Sequence, residues 1–209
     1  MVLYFTSDVV DPPVKLYMGR DKEENEELIR WGWPEDVWFH VDKLSSAHVY
    51  LRLQPGQTIN DIPEKLIKDC CQLVKANSIE GNKKNNIDIV YTMWSNLKKT
   101  GEMVTGQVGF HKESAVRKVH IEKRINDIVN RLNKTKIVDD NVNFQAEREK
   151  RDAEENRKLR EEQRAHRNRE NIEREAKQRE KEARSYDRIF AAEKMKTNKD
   201  EGNESDDFM

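Results

Sequence analysis

Charged residues make up 38% of these 209 residues, at a formal net charge of −1, against roughly a quarter in ordinary globular domains. The length admits one domain of ordinary size and a tail, and a net charge so near zero excludes a global field that would draw in nucleic acid. No window approaches the roughly 18 apolar residues of a membrane span, and MVLYFTSDVVDPP has neither the basic nor the apolar region of a signal peptide. The expectation is a cytoplasmic protein with no transmembrane segment, with nuclear or membrane-peripheral association left open.

In chain order, VLYFT and VKLYMGR flank the turn residues DPP and predict two strands within residues 2–20. Asn25 is placed to cap a short helix, EELIRW, that Gly32 and Pro34 stop. In EDVWFHVDKLSSAHVYLRL, residues 35–53, two alternating runs follow. Val37, Phe39 and Val41 share one face of the first run and Trp38 and His40 the other; Val49, Leu51 and Leu53 oppose His48, Tyr50 and Arg52 in the second. An antiparallel hairpin would set His40 opposite His48, Trp38 opposite Tyr50 and Asp36 opposite Arg52. That face, if open, is a stacking platform for unpaired bases; if a helix covers it, the same residues are core.

Asp61, Pro63 and Glu64 predict a helix start, and Leu66, Ile67, Cys70, Cys71 and Val74 carry it as an amphipathic helix over 62–76. The adjacent cysteines are poorly placed for a mutual disulfide and read as packing. IDIVYT, MVTGQVGF and VRKVHI predict further strands, and Ile121, Ile125, Ile128 and Leu132 a helix over 121–134. Lys112 to Lys136 holds eight Lys or Arg against three acids, a local basic field.

Beyond Glu147 the charges alternate in sign, and Leu159 and Ile172 supply no coiled-coil seam. Acid-first pairs four apart, such as Glu154 with Lys158 and Glu173 with Lys177, support a solvated single helix at roughly 0.2–0.5 kcal/mol each. KDEGNESDDFM predicts an acidic disordered end, with Ser205 a phosphorylation candidate. The fold class is therefore α+β: a mixed or antiparallel sheet with packed helices over 1–120, a long charged helix or nominal coiled coil over 121–190, and a disordered tail over 191–209.

The run YMGRDKEENEELIRWGWPEDVWFHVDKLSSAHVYLRL, with VYTMWSNLKKT and GQVGF, closely resembles the family of small eukaryotic proteins built on the NFACT RNA-binding domain. The resemblance covers roughly residues 1–135 and implies an RNA-linked binding module with no established reaction. The family's D-x-W-F-H signature is here Asp36, Trp38, Phe39 and His40. Its later histidine, usually preceded by Gly-Ser, is His48 after Ser46 and Ala47, and its basic strand-end pair is Lys98 and Lys99 after Trp94. Larger relatives of the ribosome-associated quality-control type carry further domains absent from this chain.

The function expected is non-enzymatic nucleic-acid binding, RNA favoured over DNA and linked to translation, with no cofactor and no metal. Arg20, Lys22, Arg52, Lys98 and Lys99 would neutralise phosphates, Trp38, Tyr50 and Trp94 would stack bases, and His40 and His48 would donate to oxygens. A metal or acid–base site from His40, His48 and Asp36 or Asp42 matches no defensible motif spacing. The alternative is an adaptor or sensor binding DNA or a protein partner, its helix a spacer to the ribosome, a filament or a membrane-associated complex.

Overall fold

The computed structural model describes residues 1–184. The expected disordered end and Ser205 lie outside the described residues. Two units divide the chain at Arg151 and Asp152.

The first unit is built on a seven-stranded sheet whose pairings are all antiparallel. Its strands are β1 (Val2–Ser7), β2 (Val14–Gly19), β3 (Asp36–Val41), β4 (Val49–Arg52), β5 (Ile87–Met93), β8 (Arg117–Ile121) and β9 (Ile137–Asp139). They lie in the order β8-β5-β3-β4-β2-β1-β9. A small hairpin, β6 (Leu97–Lys98) with β7 (Gly109–Phe110), stands apart. The expected strand MVTGQVGF is thus reduced to its last two residues, the rest being a turn whose φ at Gly106 is +80°.

Four α-helices and two short 3-10 turns, at Trp94–Asn96 and Glu113–Ala115, complete the described chain. The first, α1 (Lys22–Trp31), is capped by Asp21, whose side chain accepts the Glu24 N–H at 3.0 Å while Glu24 reaches back to the Arg20 N–H at 2.8 Å. This reciprocal cap starts the helix four residues before the expected Asn25, which lies buried inside it. The second, α2 (Glu64–Ala76), begins after Pro63. Asp61, expected to cap it, instead closes the preceding turn by accepting from the Thr58 N–H and hydroxyl, each at 2.7 Å.

On one sheet face Phe5, Leu16, Val37, Phe39, Val49, Leu51 and Ile89 pack against Leu66, Cys70, Cys71 and Val74 of α2. Burial raises both thiols, Cys71 to about 12, so they are inert packing groups. The third helix, α3 (Asn126–Lys134), buries Val129 and Leu132 beside α2. Arg131 joins Asp69 of α2 at 2.7 and 2.8 Å, and Asp69 accepts from Ser7 at 2.6 Å.

The long helix α4 (Phe144–Arg184) begins at residue 144 rather than 121. Ile121 ends β8, and β9 interrupts the helical run by pairing Val2, Leu3 and Tyr4 of β1. The physical reason is that Leu132 and its neighbours have a sheet and helix to bury against, whereas the charged run has none. In the second unit α4 is exposed from Ala153 to Arg184, with the expected Glu173–Lys177 pair at 2.6 Å and a further Glu180–Arg184 pair at 2.6 Å. Among the described residues no helix is long and apolar enough to cross a membrane.

Candidate nucleic-acid interface

The hairpin register is the one the alternation predicts: Asp36 faces Arg52, Trp38 faces Tyr50, and the His40 and His48 rings meet edge to face with centroids 5.0 Å apart. What differs is the cover. Leu28 of α1, the β6–β7 hairpin, Trp94 and Phe144 of α4 close over the row Tyr17, Tyr50 and Trp38. Trp38 is 2% exposed and Tyr50 is fully buried, stacked on Tyr17 at 5.1 Å, so neither offers a face to a base. The stacking platform expected from these residues is core.

Arg52 is likewise engaged. Its guanidinium donates to Asp36 at 2.9 and 3.2 Å and to the Tyr17 hydroxyl at 3.1 Å, and lies 3.7 Å over the Trp33 ring. Burial pulls its pKa down, but Tyr17 and Asp36 outweigh that and hold it above the ordinary value. Trp94 is half-buried, donating its indole N–H to the Ile29 carbonyl at 2.9 Å beneath the Arg148 guanidinium. Lys99 donates to Glu26 at 2.5 Å and to the Val104 and Gln107 carbonyls at 2.8 and 2.9 Å. Trp94 and Lys99 thus tie the cover to α1.

The two histidines have their polarity fixed by their partners. Trp38 can only donate, so His48 Nδ1 accepts its indole N–H at 3.0 Å. Burial, reinforced by His40, pushes the His48 pKa down to about 3, and the ring is neutral. A carbonyl can only accept, so His40 Nδ1–H donates to the Val41 oxygen at 2.7 Å. Burial lowers the His40 pKa as well. A neutral His40 presents Nε2 as an acceptor, so its expected donor role is reversed at neutral pH, while the Nε2–H of His48 is a donor engaged with the Gly106 backbone. Of the expected acids, Asp36 is taken by Arg52, whereas Asp42 lines the same cleft, acts on His40 through its charge and accepts from Lys118 at 2.8 Å.

The sheet face opens beside the hairpin cover, at the corner where His40 and Val90 lie. Beyond the hairpin cover, a cleft of about 210 Å³ is lined by His40, Asp42, Lys43, Val90, Gly106, Val108 and Phe110, together with the buried Trp38 and His48. Register places His40, Val90 and Lys118 in one row across β3, β5 and β8. The hairpin tip is pinned over this corner by Glu26, which accepts from both Lys99 and the Gly106 N–H.

Four exposed cations surround the corner or its supports. Lys43 lines the cleft, and the Lys22 side chain lies within 3.8 Å of where a Cβ on Gly106 would sit. Arg20 is exposed just before α1, and Lys98 is exposed on the hairpin whose Phe110 lines the cleft. Of the residues expected from sequence, the cleft brings together Trp38, His40 and His48, with Lys22 at its edge. Lys43, Val90, Val108 and Phe110 were missed, although Phe110 ends the GQVGF motif and Val90 sits on the matching phase of IDIVYT.

Comparison with known proteins defines the class. Residues 1–112, more than half of the chain, match the family model described as NFACT protein RNA binding domain. Over all 209 residues the chain is 63% identical to coiled-coil domain-containing protein 25 of Danio rerio, covering 100% of both chains. Its Dictyostelium discoideum homolog is 57% identical over the same span, again with 100% of both covered. Protein JLP2 of Saccharomyces cerevisiae is 45% identical over 142 residues, 66% of this chain and 68% of that protein. The chain belongs to the coiled-coil domain-containing protein 25 family. Among solved structures, the C-terminal part of the fibronectin/fibrinogen-binding protein of Streptococcus suis shares the fold. Its TM-score is 0.50 at 17% identity, over 65% of this chain and 48% of that one.

Proposed function

We propose that the first unit is a non-enzymatic module that binds single-stranded RNA at the open corner of its sheet, in a cytoplasmic, translation-linked setting. RNA as the ligand is supported by the domain that residues 1–112 match. The link to translation rests on the resemblance to larger ribosome-associated relatives. The observation that carries the choice of corner is the juxtaposition of an uncovered aromatic cleft with Lys43 in its wall and Lys22 at its edge, next to the row that the hairpin and α1 seal. Arg20 and Lys98 extend the cationic surface along the supports of that cleft. Arg52 and Lys99 are not phosphate ligands in this reading, because their donors are already engaged within the fold.

The test is the salt dependence of RNA binding by the full chain. Replacing Lys22 and Lys43 by Ala should weaken binding and flatten log affinity against log salt by about 0.7 for each phosphate contact removed. Their folding stability should stay within about 0.5 kcal/mol of the parent, as for exposed substitutions generally. Unchanged affinity and slope in the folded double variant would move the RNA elsewhere on the domain. Failure of the parent chain to bind RNA at all would favour the adaptor reading.

A further inference from the structure

We propose that the cleft beside His40 is a pocket for one unpaired nucleobase, recognised by an N–H donor on the base edge that His40 Nε2 accepts. This rests on the RNA-binding reading above and adds which part of the strand enters and by what contact.

Ring geometry provides the seat. Trp38 and His40 lie parallel, 4° apart in plane with centroids at 5.4 Å, and Phe110 and His48 meet Trp38 edge-on. With Trp38 buried, the parallel pair is extended past His40, which is half-buried and lines the cleft. A flat heterocycle entering in the same orientation extends the stack, with Val90 and Val108 as apolar walls. The volume, about 210 Å³, is below the roughly 300 Å³ at which pockets for larger organic ligands begin. One base fits this space better than a length of strand.

Polarity then separates base from phosphate. Because the Val41 carbonyl takes the Nδ1 proton, Nε2 of neutral His40 carries a lone pair. A phosphodiester oxygen has no proton to offer it and is repelled. An amino or imino N–H of a base pairs with it. Lys43 in the wall and Lys22 at the edge meet the phosphates on either side of the inserted nucleotide, while the Asp42 carboxylate of the lining is held by Lys118. The corner thus sorts the two parts of a nucleotide by opposite hydrogen-bond character.

The experiment compares two short single-stranded RNAs by fluorescence anisotropy with the full chain. One carries adenine throughout; the other carries unsubstituted purine, which keeps the fused ring and loses the N–H donors. The parent chain should bind the adenine strand about two- to tenfold more tightly, the worth of one net hydrogen bond. His40→Phe, which keeps a ring in place, should bind both strands equally. Equal binding of the two strands by the parent chain overturns the pocket and leaves RNA binding intact, as does a preference that survives in folded His40→Phe. No binding of either strand overturns both proposals. If the variant does not fold, the parent comparison decides by itself.

Discussion

Two neighbouring rows on one face of the same sheet have opposite fates. The row Tyr17, Tyr50 and Trp38 is sealed beneath α1, the small hairpin and the start of α4; the next row, His40, Val90 and Lys118, emerges from under that cover. The two rows meet on β3, where Trp38 belongs to the first and His40, two residues on, to the second. The difference lies in what crosses above them, which is set by Glu26 and Gly32 before β3 together with Lys99 and Trp94 beyond β5. Aromatic richness on a strand face therefore marks a core as readily as a binding surface, and only the cover distinguishes them.

The comparison is most easily broken from the sealed row. Asp36→Ala should cost about 3–5 kcal/mol, because it strands the Arg52 guanidinium in a half-buried site beside Tyr17 and Trp33. Asp42→Ala, at the open corner, removes a surface pair with Lys118 and should cost no more than about 1 kcal/mol. Urea titration of the two variants measures the contrast directly. Similar losses in both would mean that the two rows are equally exposed.

Acid sharpens the same contrast through His48. Its folded pKa is about 3, against an ordinary value near 6.5, so between these values the unfolded chain binds a proton that the folded chain refuses. The stabilising contribution of the neutral ring is complete above about pH 6.5 and is lost progressively as pH falls toward 3. His48→Gln should have a flatter acid limb than the parent when unfolding free energy is followed across that window. An unchanged limb would show that His48 is not sealed.

A smaller effect tests the cover itself. A Cβ at Gly32 would lie 2.2 Å from the Trp94 indole nitrogen and 2.8 Å from the Leu28 carbonyl oxygen. Gly32→Ala should therefore destabilise by about 1–3 kcal/mol, as overpacking does. It should also increase indole fluorescence exposure to quencher, as Trp94 is displaced.

Much of the fold was legible because strand alternation and helical spacing are local. The two runs within residues 35–53 dictated their own register, and Cys70, Cys71 and Val74 dictated the buried stripe of α2. The caps were less legible, because Asp21 and Asn25, or Asp61 and Pro63, compete within a few residues and side-chain geometry decides between them. The break of the helical run by β9 depends on β1, more than a hundred residues away. The site suffered most. Whether Trp38 and Tyr50 face water is decided by a hairpin of two-residue strands with almost no periodicity to read, and the roles of His40 and His48 by which ring nitrogen meets a carbonyl or an indole.

The most direct test of the account is a titration of the isotopically labelled full chain with single-stranded RNA, following assigned histidine and tyrosine ring signals by NMR. The account predicts that His40 signals shift or broaden with the Lys43 backbone amide, while the Tyr17 and Tyr50 rings stay in place. Movement of Tyr50 and Arg52 signals with His40 unchanged would contradict it and return binding to the row that the structure seals.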